Sequence, residues 1–152
     1  MSPITFELRK SIPKTPEEIC AEIADVARWS DFDGYLLLPG IERAAYETRT
    51  VGMVGSRIRV RNRDGSAHTE EILAWDPAEK VVIKLFDFSA PLNRLSTHFI
   101  EEWRFSPKGD ATKAYRKFEL FPKSAFARPP LWLISRFLKK AVALHLDKIN
   151  RS

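Results

Sequence analysis

The chain is predicted to be α+β: a curved antiparallel sheet of about seven strands, wrapped on a long C-terminal helix, with two short helices after strand one. Three observations carry that expectation. After Pro129-Pro130 the residues run to Asn150 without Gly or Pro and are dominated by Ala, Leu, Lys and Arg, all good helix formers. Between Gly40 and Pro122, segments of period-two polarity alternate with turn signals, which is how a succession of hairpins reads. The helix has one apolar stripe (Leu131, Ile134, Leu138, Ala141, Val142, His145, Ile149), and the strands have one apolar face, so each needs the other as cover.

Taken in order, Thr5 to Ser11 alternates and reads as the first strand, ended by Ile12-Pro13. Thr15-Pro16-Glu17-Glu18 is a helix start: Thr at the N-cap, Pro at the first position, and Glu18 placed to close a capping box. The stripe Ile19, Ile23, Val26, Ala27 carries that helix to about Trp29, and Ser30-Asp31 can cap a second short helix before Gly34. Gly40 and the Gly52–Gly55 segment bracket a second strand from Ile41 to about Thr50.

Ser56 to Arg63 alternates strictly, with Ile58 and Val60 facing one way and Arg57, Arg59, Arg61 and Arg63 the other. Asp64-Gly65 is a strong hairpin signal. A two-residue turn there sets Arg59 opposite Glu70 on the outer face and Val60 opposite Thr69 on the inner one. The next strand runs to Trp75, and Asp76 to Lys80 turns it back. Trp75 opposite Val81 then pairs Leu73 with Ile83 and Glu71 with Leu85, so Glu71 is expected on the inner face. A one-residue slip or a bulge puts Glu70 there instead. Ala90 to Asn93 is a loop. The strand from about Ser96 to Phe105 has Phe99, Glu101, Trp103 and Phe105 on one face, and the last strand has Ala114, Arg116, Phe118 and Leu120 on its more apolar side.

At 152 residues the chain is expected to form one domain with a substantial core. Its 44% hydrophobic and 30% charged content is ordinary for a soluble protein. The net charge of +5 is mild and scattered, with no recognition motif or aromatic-basic block, which argues against nucleic acid as a partner. The lone Cys20 lies between Ile19 and Ile23, where a buried small apolar role is expected. One cysteine forms no internal disulfide, and the N-terminus carries no secretory pattern, so a cytoplasmic location is expected. Asn150-Arg151-Ser152 matches a glycosylation triplet by chance alone, and no stretch is apolar enough to span a membrane.

With Trp29 in the short helical stretch, Pro39-Gly40 before strand two, Gly52 and Gly55 before strand three, Asp76-Pro77 between strands four and five, and the amphipathic last helix, the chain resembles the START-like helix-grip superfamily, the polyketide cyclase/dehydrase and lipid-transport group. The resemblance covers nearly the whole chain. It implies a sheet gripping the last helix, an elongated apolar cavity between them, and activities ranging from carrying lipids, polyketides or quinones to cyclising or dehydrating aromatic intermediates.

The sharpest local feature is the last hairpin. Centred on Lys108-Gly109, it sets Phe105 opposite Thr112, Trp103 opposite Ala114 and Glu101 opposite Arg116, two opposite charges on an otherwise apolar, aromatic face. Their attraction at about 4 Å is roughly 4 kcal/mol at an effective dielectric near 20, against a large desolvation cost. Such a pair is expected to anchor the head of a mostly apolar ligand; the plainer alternative is a structural ion pair, or charges in solvent. His145, on the helix's inner stripe with Leu138 and Val142, is within reach of the cavity as a core hydrogen-bonding group or an acid–base residue. Phe99, Trp103 and Phe118 supply aromatic lining. Trp29, Phe32 and Tyr35 cluster where related folds close the cavity mouth.

No metal-ligand spacing joins His68, His98 and His145, no phosphate-binding loop is present, and no nucleophile elbow is found, so neither a metal nor a cofactor is expected. Trp132, Arg136, Lys139, Ala143 and Lys148 form a cationic rear face, usually solvated but able to touch an anionic membrane surface. The reading is therefore a binder or carrier of a small hydrophobic or aromatic molecule, compatible with a monomer or a dimer. The alternatives are a cyclase- or dehydratase-like enzyme using Glu101, Arg116 and His145, and an interaction or membrane-surface module.

Overall fold

A computed structural model describes residues 1–151, leaving the last residue of the Asn150-Arg151-Ser152 triplet outside the described residues. The order is β1 (Ile4–Ile12), α1 (Pro16–Ala24), a 3₁₀ turn (Val26–Asp31), β2 (Gly34–Tyr35), β3 (Leu38–Pro39), β4 (Ile41–Thr48), β5 (Arg57–Asn62), β6 (Ala67–Asp76), β7 (Lys80–Phe86), a short 3₁₀ turn (Leu92–Arg94), β8 (Ser96–Lys108), β9 (Ala111–Pro122) and α2 (Arg128–Arg151). Seven strands form one antiparallel sheet in the order β1-β9-β8-β7-β6-β5-β4, and β2–β3 stand apart as a small hairpin. The predicted fold class holds.

Core side chains come from alternate strand positions, among them Phe6, Ile58, Val60, Ile72, Ile83, Phe99, Trp103 and Phe118. From α2 they come from Leu131, Leu138, Val142, Leu146 and Ile149, the spacing an inward-facing helical stripe requires. Cys20 is buried as expected, and burial pushes its thiol up to about 12, so it packs rather than reacts.

The capping box at α1 forms as read: Thr15 Oγ1 accepts from the Glu18 amide at 3.2 Å, and Glu18 Oε1 accepts from the Thr15 amide at 3.1 Å. The helix is shorter than its stripe predicts. It ends at Ala24, where Asp25 leaves helical geometry, and the second helical segment begins at Val26, so Ser30-Asp31 close that turn rather than cap it. Side chains take the carbonyls this early end exposes: Trp29 Nε1 donates to the Ile23 carbonyl at 2.9 Å and Tyr46 Oη to that of Ala24 at 2.6 Å. Gly34 and Gly40 then let the chain fold tightly back. A Cβ on Gly40 would lie 2.6 Å from the Asp33 carbonyl oxygen, and Gly34 has φ +77°.

Three hairpin registers differ from the expected ones, each for a local reason. The β5–β6 loop has three residues, not two. Gly65, at φ +88°, donates to the Asn62 carbonyl, Asn62 pairs with Ser66, and the Asp64 carboxylate accepts from the Ser66 amide at 2.9 Å. The extra residue moves the pairing by one, to Arg59–Thr69 and Ile58–Glu70. In β6–β7, Trp75 does oppose Val81, but a bulge at Leu73 pairs Ile72 with Ile83, Glu71 with Lys84 and Glu70 with Leu85. Both shifts have the same consequence. Glu70 is inside, and Glu71 is outside, where Arg57 Nε donates to it at 2.9 Å. In β8–β9 the turn is Gly109-Asp110, so Trp103 opposes Arg116 and Glu101 opposes Phe118. That displacement is by two residues, which preserves the faces, and Glu101 meets Arg116 diagonally.

Candidate functional site

Between the concave face of the sheet and α2 lies a cavity of about 490 Å³. Ten of the twelve residues predicted for it line it: Trp29, Phe32, Phe99, Glu101, Trp103, Arg116, Phe118, Leu138, Val142 and His145. Two do not. Glu71 is on the outer face for the register reason above, and Tyr35 turns to α2, its ring 6.3 Å from that of Phe137.

The polar centre sits on β8 and β9. Arg116 Nε donates to Glu101 Oε2 at 2.5 Å, and both residues are nearly inaccessible, at 7% and 4% exposure. The Arg116 guanidinium lies 4.4 Å from the Trp103 ring centre and 5.3 Å from that of Phe118, so aromatic faces hold the buried cation. Arg116 Nη1 reaches His145 Nδ1 at 3.3 Å. Arginine only donates, so Nδ1 is the acceptor and the histidine proton is on Nε2. The His145 ring meets Phe32 edge-on at 5.7 Å.

Charge follows from this packing. Burial pulls His145 down to about 3, with Arg116 and then Lys148 adding to the effect, so it is neutral across the physiological range. Burial raises the Glu101 carboxyl above its usual range against the pull of Arg116, and the Glu70 charge raises it further. Arg116 Nη2 and His145 Nε2–H have no hydrogen-bond partner among the described residues. The head of the cavity thus offers donors.

A second polar pair was not singled out in the sequence: His68 Nε2 and Glu70 Oε2, 2.8 Å apart, buried and lining the cavity from β6. Their shared parity with Ile72 was the available signal, hidden by the assumed two-residue turn. The rest of the lining is apolar, including Phe88, Leu92 and Leu95 from the loop before β8 and Leu37 from the β2–β3 hairpin. Lys148, expected on the solvated rear face, instead bonds the Asp31 carbonyl at 2.8 Å and Asp33 at 2.5 Å, tying α2 to the first 3₁₀ turn. Among the described residues no cluster of His, Cys, Asp or Glu could hold a metal ion.

A family model described as polyketide cyclase / dehydrase and lipid transport matches residues 3–152. The chain belongs to this family. Solved structures of START-like proteins share the fold of this polyketide cyclase/dehydrase and lipid-transport family member. The Zhui aromatase/cyclase from Streptomyces sp. R1128 superposes with a TM-score of 0.74 at 14% identity, covering 97% of this chain and 91% of that one. A START superfamily protein from Mycobacterium smegmatis gives 0.72 at 14% identity, covering 97% of each. Ginseng major latex-like protein 151 from Panax ginseng gives 0.69 at 15% identity, covering 99% of each. At these identities the likeness concerns the fold. No curated protein matches the chain.

Proposed function

We propose that the protein binds one small, mostly apolar molecule in the cavity, with an oxygen acceptor of that molecule held by Arg116 and His145. The observation that carries this reading is a buried Arg116–Glu101 pair at the wall of an otherwise apolar space. Clefts of about 300–1,000 Å³ with few convergent polar groups are typical of small-molecule sites, and 490 Å³ falls inside that range. The free groups at the head are N–H donors, so they fit a carbonyl, quinone or phenolate oxygen. Native mass spectrometry of the purified protein tests the reading. A discrete non-covalent adduct that dissociates on activation is expected; binding of a protonated amine in preference to a carbonyl compound contradicts the proposed head chemistry.

The convergence of Glu101, Arg116 and His145 favours a second reading, a cyclase- or dehydratase-like enzyme. Arg116 would polarise a carbonyl and Glu101, with its raised pKa, would exchange the proton. His145 is too weak a base for that role and serves as a donor. Loss of water from a cyclic β-hydroxy ketone, abolished in Glu101→Gln, is the expected signature; no turnover with any such ketone leaves the binder reading alone.

A further inference from the structure

Exposed apolar side chains gather at one end of the molecule. The turn of the β2–β3 hairpin is Leu36-Leu37, 73% and 84% exposed. Leu36 has φ +51°, a left-handed conformation that Gly or Asn adopts readily and a leucine does not. Two-residue hairpin turns with positive φ at the first central residue alone ordinarily place Gly there, so this tip carries both a backbone and a solvation penalty. Leu133 of α2, 48% exposed, shares the cavity with Leu37; its neighbour Trp132, 52% exposed, points about 100° further round the helix, and Phe126, 94% exposed, lies just ahead of the helix. Leu37 and Leu133 also line the cavity, so it reaches the surface between them.

The segments that carry these side chains are basic; of the carboxylates near them, Asp31 is paired with Arg28 and Asp33 with Arg63 and Lys148, while Asp64 also lines the cavity. Residues 34–41, 88–99 and 120–140 contain Arg94, Lys123, Arg128, Arg136, Lys139 and Lys140 and no Asp or Glu. Arg128 donates to the Ser2 carbonyl, and Arg136 stacks 5.5 Å from the Trp132 ring centre. None of the six makes an ion pair among the described residues. The arginines in and after β5 differ: Arg57, Arg59, Arg61 and Arg63 are paired with Glu71, Asp87, Glu42 and Asp33.

We propose that this end docks on an anionic lipid bilayer, with the Leu36-Leu37 tip in the headgroup–acyl boundary, Trp132 at the interface and the unpaired cations against phosphates, so that the cavity mouth faces the membrane. Aromatic, aliphatic and basic side chains on one face are the composition of a peripheral membrane surface. The association is peripheral, since no helix is long and apolar enough to cross a membrane. A second copy of the chain would set cation against cation. The use of the mouth for ligand exchange rests on the cavity reading above, but docking is measured without ligand, so the two fail separately.

The test is vesicle flotation of the full chain with phosphatidylcholine alone and with phosphatidylcholine mixed with phosphatidylglycerol. Leu36→Gly/Leu37→Ser removes the apolar tip while giving the turn residues its geometry prefers. Binding only to the anionic vesicles is expected, falling roughly tenfold in the hairpin variant and weakening with salt. Lys139→Gln/Lys140→Gln should lower it by about fivefold per charge, with ligand binding in solution unchanged. Absence of binding to anionic vesicles, or undiminished binding by the hairpin variant, overturns the proposal. So does concentration-dependent dimerisation relieved by that variant, which would assign the patch to a second copy.

Discussion

Arg116 links two groups whose charge states both depend on it: it holds the Glu101 carboxylate and donates to His145, and its own charge lies over the Trp103 ring. Removing one partner leaves the other buried and uncompensated. Glu101→Ala and Arg116→Ala are each expected to lower unfolding stability by about 3–5 kcal/mol, measured by urea denaturation. The double variant Glu101→Met/Arg116→Met should return to within about 1 kcal/mol of wild type while losing ligand binding, the result that separates a functional pair from a structural one. His145 makes a pH prediction. Its folded value, about 3, is below its unfolded value near 6.5, so the unfolded chain takes up the proton first as pH falls. Its contribution is complete above about pH 6.5 and is lost between there and about pH 3, on the order of a few kcal/mol in total. His145→Gln keeps an acceptor for Arg116 and does not titrate, so its stability should fall less across that window. These side chains were legible in the sequence because an ionisable residue on an apolar stripe or strand face is conspicuous whatever the pairing detail.

At the scale of elements, the hairpin connections decide which charges face inward. Strand parity placed Glu101 and Arg116 correctly even though their hairpin register moved, because a two-residue shift keeps the faces. It misplaced Glu71, because one additional loop residue at Gly65 and one bulge at Leu73 each move the pairing by a single residue. Neither device has a strong local signature: Asp64-Gly65 suits both loop lengths, and Leu73 looks like an ordinary strand residue. The same events concealed the His68–Glu70 pair. Glu70→Ala should cost about 1–3 kcal/mol by leaving His68 buried without its partner, whereas Glu71→Ala removes a surface ion pair worth about 1 kcal/mol or less. Equal effects, compared by thermal denaturation, would return both residues to the same environment and contradict the register. The β2–β3 hairpin was invisible for another reason: its strands are two residues long, too short for any periodicity. Relieving its left-handed leucine with Leu36→Gly should stabilise the fold by about 1 kcal/mol.

Over the whole molecule, seven strands and one helix cover each other's apolar faces and still leave about 490 Å³ unfilled. A core packed for stability alone leaves few voids larger than a water molecule. Periodicity made the layers legible, since a strand face and a helix stripe are properties of spacing. The cavity came from the family resemblance, because empty volume depends on sheet curvature and on how far α2 stands from it. Ligand binding is thus the central claim, and a titration with anilinonaphthalene sulfonate, an apolar ring system with an anionic oxygen head, tests it most directly. The wild-type chain should show saturable one-site binding. Affinity should fall at least about tenfold in Leu85→Trp, which fills the cavity from β7, and in Glu101→Met/Arg116→Met, which removes its head, with circular dichroism unchanged in both. Equal affinity in all three proteins, or no saturable binding in the wild type, would contradict the account.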